Sequence, residues 1–200
     1  CVLGADAVPG TPEFDLFIKE VRKEITVKCG QKCTAIRRII VPQNLAEAVK
    51  EALTKALNQT TIGDPKNEKV RMGALASLSQ REDVMEKLTQ LKAESEVWYE
   101  NQQAEFIDVP SNNGAFISPV ILYNNDPLKK LSTHNIEAFG PIATILPYQD
   151  LDEAIEIIKL GKGSLVSSIV TNDHQIAKDF TIGSAAYLGR ILVLNRESAA

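Results

Sequence analysis

Residues 140–195 read "GPIATILPYQDLDEAIEIIKLGKGSLVSSIVTNDHQIAKDFTIGSAAYLGRILVLN", and their pattern decides the fold class. "GPIATILPY" (140–148), "LVSSIVT" (165–171) and "GRILVLN" (189–195) are apolar runs of strand length, rich in β-branched residues. Two helix patterns separate them. Asp150 with Glu153 opens one that runs to about Leu160, and Asn172 or Asp173 opens one that runs through Phe180. Strands alternating with helices require crossover connections, hence an α/β fold with a largely parallel (mixed) sheet flanked by helices. "LGKGSL" (160–165) has glycines around a lysine but fails as a phosphate loop. Gly163 stands where the Walker pattern needs Ser or Thr after Lys, so the segment reads as a helix stop.

The same alternation extends upstream. Thr11, Pro12 and Glu13 suit a helix start, and Phe14, Phe17, Ile18, Val21 and Ile25 recur at helical spacing. Cys29 continues that stripe, and Gly30 is a natural stop. "AIRRIIVP" (35–42) reads as a buried strand. Asn44 is expected to cap a helix carrying Leu45, Val49, Leu53 and Leu57, and Ser79 with Glu82 to form a capping box for a helix to about Lys92. Residues 60–77 read as a loop, and "EVWYENQ" and "GAFISPVILYN" (114–124) as short strands, the latter interrupted by Pro119. No repeat or linker divides the chain, so residues 1–200 are expected to form one domain.

Composition narrows the function. The net charge of −4 and the interspersed signs give no basic stripe, so no nucleic-acid partner is expected. No apolar run approaches bilayer length, and "CVLGADAVPG" lacks the basic and apolar regions of a signal peptide. "CVLGA" reads like the interior of a longer protein. Three cysteines make no disulfide framework, so a reducing, cytoplasmic setting is expected.

Cys33 sits in "GQKCTA" (30–35), a loop between a helix end and a buried strand. Small neighbours leave its backbone open, and its N–H is available to an oxyanion. On these features alone a buried structural thiol is the commoner meaning. Cys29 and Cys33 make a poor zinc pair, since only Cys1 and two scattered histidines remain as ligands, and no metal site is expected. His134 and His174 read as surface or loop residues. "IEAFGPI" (136–142) sets Glu137 and Phe139 beside a Gly-Pro bend; alone it is a turn with a buried ring. No G-x-G-x-x-G follows a strand.

Taken together these segments resemble the aldehyde dehydrogenase superfamily. "GQKCTA" is similar to its segment around the nucleophilic cysteine, and "EAFGP" (137–141) to its Glu-x-Phe-Gly-Pro element, about a hundred residues downstream. "IGDP" (62–65) with "MGAL" (72–75), "GAFISPVIL" (114–122), "LVSSIVTND" (165–173) and "LGRILVLN" (188–195) follow in the family's order, with Ala74 where Pro is usual. Residues 13–42 are similar to one subgroup in particular, the dehydrogenase part of bifunctional phenylacetate ring-opening proteins. There it oxidises a CoA-linked semialdehyde, and a separate hydratase-like domain opens the oxepin-CoA ring.

The resemblance implies the family's cysteine-bearing catalytic domain. Cys33 would attack the aldehyde, Glu137 would hold the nicotinamide ribose, and Phe139 would border the ring. NADP or NAD would be the cofactor of the full-length protein, an aldehyde (a CoA thioester) the substrate, and a homo-oligomer the assembly. The family's dinucleotide-binding domain, its oxyanion-hole asparagine and the general base match nothing in these 200 residues. Glu13, Glu20 and Glu24 lie on the first helix and do not match the base. The isolated chain is therefore expected to bind no cofactor and to be inactive. The competing reading is a non-catalytic α/β structural or partner-binding module.

Overall fold

A computed structural model describes residues 1–109 and 114–199. The strands are β1 (Val2–Leu3), β2 (Arg38–Pro42), β3 (Ile62–Gly63), β4 (Glu96–Glu100), β5 (Phe106–Ile107), β6 (Val120–Tyr123), β7 (Ile142–Tyr148), β8 (Ser167–Val170) and β9 (Ile191–Leu194). Seven of them form one sheet in the order β4-β6-β7-β2-β1-β8-β9, while β3 and β5 pair separately. Every neighbour in the large sheet is parallel except the edge strand β4, which runs antiparallel to β6. The α/β architecture expected from residues 140–195 is present.

The helices are α1 (Pro12–Thr26), α2 (Ala46–Asn58), α3 (Leu78–Lys92), α4 (Ser132–Asn135), α5 (Leu151–Lys159) and α6 (His174–Ser184). A sheet strand buries alternate residues on opposite faces. Accordingly Leu3, Ile39, Val41, Ile145 and Val170 pack with α1 and α2, whereas Val2, Ile40, Leu146, Tyr148 and Ile169 pack with α5 and α6. Covering both faces makes the strands apolar throughout, which is why β7 is buried at all seven positions. A third cluster, with Met72, Leu75, Val84, Leu88 and Leu122, packs α3 against the sheet's β6 end.

Several local expectations need correcting. Residues 60–77 are not all loop, since Ile62 and Gly63 pair with Phe106 and Ile107. The cap of α3 is Ser77, whose hydroxyl accepts from the Gln80 N–H, and not Ser79. Ser79 is spent on the Ser77 hydroxyl, 2.9 Å away. Asn44 caps nothing: residues Gln43–Leu45 form a 3₁₀ turn that leads into α2 without a side-chain cap. The stripe of α1 ends at Thr26. Lys28 and Cys29 then take left-handed backbone angles, both with φ 53°, which swings Cys29 out of the helix and into the α3 cluster. β1 was not foreseen, because two residues are too few to show a period. It nonetheless occupies the sheet's interior between β2 and β8.

The last turn of chain is fastened to α1. Arg196 donates through Nε and Nη2 to the Glu13 carboxylate at 2.9 and 3.0 Å, and its backbone N–H donates at 2.9 Å. Glu13 is 1% exposed, covered by neighbours though it lies at shallow depth. The Arg196 hydrogen bonds hold its carboxyl below the ordinary value of 4.5 against the opposing effect of burial. A depressed carboxylate stabilises the fold fully above its unfolded value, and the gain fades as pH falls through the folded one. Thermal melts should therefore show a stability gap between wild type and Glu13→Gln that is constant above pH 4.5 and narrows in acid. A gap that does not change between pH 7 and strongly acid conditions would contradict this.

Candidate active site

Ligands of open parallel sheets ordinarily bind beyond the carboxyl ends of the strands. Here three side-chain hydrogen bonds cross-link the ends of β1, β7 and β8 there. The Tyr148 hydroxyl donates to the Leu3 carbonyl at 2.7 Å, and Asp6 accepts from the Thr171 hydroxyl at 2.5 Å and the Asn172 N–H at 2.8 Å. The opposite end is open. A cleft of about 470 Å³ lies at the amino ends of β2, β8 and β9, lined among others by Cys33, Arg37, Arg38, His134, Glu137 and Arg190.

Cys33 is exposed in this cleft, in the loop between the end of α1 and β2. Two polar anchors hold the loop from its flanks. The Lys32 ammonium pairs with Glu24 at 2.7 Å. The Gln31 amide accepts from the Ala76 N–H at 2.8 Å and donates to Gln80 at 3.2 Å, tying the loop to the start of α3. The Lys32 and Ala35 N–H groups close local turns, whereas the Cys33 N–H has no acceptor among the described residues. Cys29 is a different thiol: it is buried, and burial pushes it up to about 12. No group of three or more His, Cys, Asp or Glu residues able to hold a metal occurs among the described residues.

The 137–141 element meets this loop through backbone. Gly30 has φ +68°, and a Cβ there would lie 2.4 Å from the Gly140 carbonyl oxygen. Only glycine permits both the angle and the approach. Gly140 is hemmed in on its other side, where a Cβ would touch Val84 at 3.0 Å. Gly30 is therefore more than a helix stop. It is where two segments 110 residues apart press together.

Glu137 stands on the cleft rim with its side chain 61% exposed, 3.6 Å from Arg37 Nε. Phe139 is half-buried, turned toward the Arg37 guanidinium at 5.3 Å, and is not part of the cleft lining. Cys33 and Glu137 thus share one cleft, while Phe139 lies behind it.

The arginines 37 and 38 were not singled out from sequence. Two cations heading an apolar strand were the available signal, because a charge that leads into a core needs partners. Arg38 donates to the Ile157 carbonyl at 2.8 Å and to Ser164 at 3.1 Å, capping the last turn of α5, and burial lowers it to about 10. A Cβ on Gly161 would sit 2.2 Å from its guanidinium, so that glycine makes room for Arg38. The turn itself is made by Lys162 and Gly163, both with positive φ.

His134 also differs from expectation. It is half-buried, with Nε2 2.7 Å from the Pro127 carbonyl and Nδ1 3.2 Å from Arg38 Nη1. A carbonyl and an arginine leave one arrangement: Nε2 carries the proton and Nδ1 accepts. Burial holds its pKa below the ordinary value, the Pro127 bond opposes this, and the Arg38 charge adds to the lowering. His174, at the first position of α6, is exposed, a surface residue as expected.

Comparison with known proteins gives a consistent set of matches. Residues 8–188 match the Aldehyde dehydrogenase family. A 3,4-dehydroadipyl-CoA semialdehyde dehydrogenase of Aromatoleum evansii is 40% identical over 195 residues, covering 97% of this chain and 38% of that protein. The chain thus spans about two fifths of the length of the curated relatives it matches. Succinic semialdehyde dehydrogenase from Streptococcus pyogenes, solved with NADP+, superposes with a TM-score of 0.80 at 25% identity, over 96% of this chain and 39% of that one. Betaine aldehyde dehydrogenase from Staphylococcus aureus, solved with NAD+, gives 0.82 at 21% identity over 96% and 37%, a likeness of fold. Among the described residues no helix is long and apolar enough to cross a membrane.

Proposed function

Since this chain belongs to the aldehyde dehydrogenase family, we propose that it carries the nucleophile of an NAD(P)-dependent oxidation of an aldehyde to its acid, and that Cys33 is that nucleophile. One observation supports this above the others: an exposed cysteine whose backbone N–H has no acceptor among the described residues shares a cleft with Glu137, across the Gly30–Gly140 contact.

The Cys33 thiolate attacks the aldehyde carbon, forming a C–S bond and placing charge on the former carbonyl oxygen. The Cys33 N–H donates to that oxygen. The nicotinamide, when bound, supplies the two-electron acceptor that turns the thiohemiacetal into a thioester. Water then adds to the thioester carbon, the C–S bond breaks, and the acid leaves as the thiol is restored. The rim residues fit a nicotinamide riboside. The exposed Glu137 carboxylate can accept from ribose hydroxyls, while Phe139, outside the cleft lining, would back the rim through Arg37.

The rest of the dinucleotide site and the general base we assign to sequence outside residues 1–200, because the chain spans about two fifths of its relatives' length and contains no G-x-G-x-x-G. By itself the 200-residue chain forms the cysteine-bearing domain and does not turn over. The aldehyde is a CoA-linked semialdehyde, as the name of the 40%-identical relative suggests, and the cofactor of the full-length protein is NADP or NAD. The working protein is a cytoplasmic homo-oligomer.

An activated ester tests the nucleophile without any cofactor. Incubated with p-nitrophenyl acetate, the chain should release a burst of one equivalent of nitrophenolate and carry the acetyl group on Cys33, mapped by mass spectrometry. Acetyl spread over lysines, with none on Cys33, would sink the assignment.

A further inference from the structure

The proposed reaction needs Cys33 and Glu137 in a fixed relation, and one side chain touches both of the segments that carry them. Arg37 follows Cys33 by four residues and immediately precedes β2. Its Nη2 donates to the Gly30 carbonyl at 2.7 Å, on the cysteine's side. Its Nη1 donates to the Gly140 carbonyl at 2.8 Å, on the glutamate's side. The guanidinium carbon lies 5.3 Å from the centre of the Phe139 ring, within cation–π range. Its Nε is buried without a hydrogen-bond partner and faces Glu137 Oε1 at 3.6 Å, an ion pair just beyond hydrogen-bond reach.

These four relations use the planar fork of arginine. Two parallel carbonyl bonds, one flat face and one remaining N–H cannot be reproduced by the single point charge of a lysine. The Arg37 side chain is only 18% exposed, so the two carbonyl bonds are shielded from competing water. Burial pulls Arg37 below its ordinary pKa, and the Glu137 carboxylate opposes that.

We propose that Arg37 is a positioning residue, which clamps the Cys33 loop to the 137–141 turn and so sets the nucleophile's place relative to the nicotinamide riboside. The inference rests on the reading of Cys33 and Glu137 given above. The clamp is internal to these 200 residues. It acts through the hydride-transfer geometry, since ester acylation needs only the cysteine and its own N–H.

The test compares two reactions in the full-length protein that carries this chain: the p-nitrophenyl acetate burst and NAD(P)-linked aldehyde oxidation. For Arg37→Met, kcat for oxidation should fall about 100-fold, the size of effect produced by a misplacement of about 1 Å. The aldehyde KM should stay within about twofold and the burst rate within about threefold, because neither depends on the second segment. Arg37→Lys should recover about a tenth to a third of kcat, since it restores charge and one carbonyl bond. Equal losses in both reactions, a change confined to KM, or an unchanged kcat would each overturn the clamp. If Arg37→Met does not fold, Arg37→Lys decides. A kcat lowered several-fold with the burst retained supports the clamp, and wild-type kcat overturns it. Failure of the underlying reading looks different: the wild type would then give no cysteine-borne burst, and Cys33→Ala would still oxidise aldehyde.

Discussion

Cys33→Ala should lose aldehyde oxidation in the full-length protein by at least about 10⁴-fold in kcat, the scale seen when a covalent nucleophile is removed. The ester burst should vanish with it, because both reactions begin with a bond to the same sulfur. The fold should be untouched. Cys33 is exposed and its side chain makes no hydrogen bond among the described residues, so truncation leaves no cavity and no orphaned polar group. Its melting temperature should stay within about 1–2 °C of wild type, as for a neutral surface change. Residual oxidation near the wild-type rate would move the chemistry to another residue. Cys29→Ala is the contrasting variant: its thiol is buried beside Met72 and Leu75, so it should lose stability through the cavity and keep the burst.

Gly30→Ala should produce a large structural effect for a single methyl group. Two costs combine. The residue sits at φ +68°, where a Cβ costs roughly 1–2 kcal/mol. The added carbon would also lie 2.4 Å from the Gly140 oxygen, 2.7 Å from the Gly140 carbon and 3.0 Å from the Ile25 oxygen. All three are backbone atoms, which cannot swing aside as a flexible side chain could. Together these should destabilise the chain by about 3 kcal/mol, roughly 6–12 °C in melting temperature for a domain of this size. Gly10→Ala separates the two contributions. Gly10 has φ +93° with nothing within 4 Å, so its variant carries the conformational cost without the collision. It should melt about 2–8 °C below wild type. If Gly30→Ala melts no lower than Gly10→Ala, the close approach of the two segments is not a constraint on the fold. In the full-length protein Gly30→Ala should also lower oxidation more than the ester burst, for the same reason as Arg37→Met.

The strands and helices of residues 140–195 were legible because each repeats a local period long enough to read: seven buried residues in β7, and a capped amphipathic turn in α5 and α6. Helix α1 was legible for the same reason, down to its Thr11 cap, whose hydroxyl accepts from the Phe14 N–H. Where the local signal was short or ambiguous, the reading slipped. Ser77 and Ser79 both look like caps, and the choice depends on where the chain enters the helix. Cys29 obeys the i+4 spacing from Ile25, yet the backbone turns left-handed one residue before it. His134 carries no local mark of burial, since its partners Pro127 and Arg38 come from different segments.

By itself the sequence determined the layered α/β fold, because burying both faces of a parallel sheet writes apolar, β-branched runs between helical periods. It also singled out Cys33, through the likeness of "GQKCTA" and the distant "EAFGP" to one family. Only the tertiary structure decided how those two segments meet. Gly30 and Gly140 touch across 110 residues, and Arg37 ties both backbones, held by carbonyls that have no side-chain identity. Such contacts depend on where the sheet delivers each loop, and no local pattern of residue types records that. The cross-links at the carboxyl end and the cleft at the amino end arise for the same reason: Tyr148, Asp6 and Thr171 find partners far away in the chain.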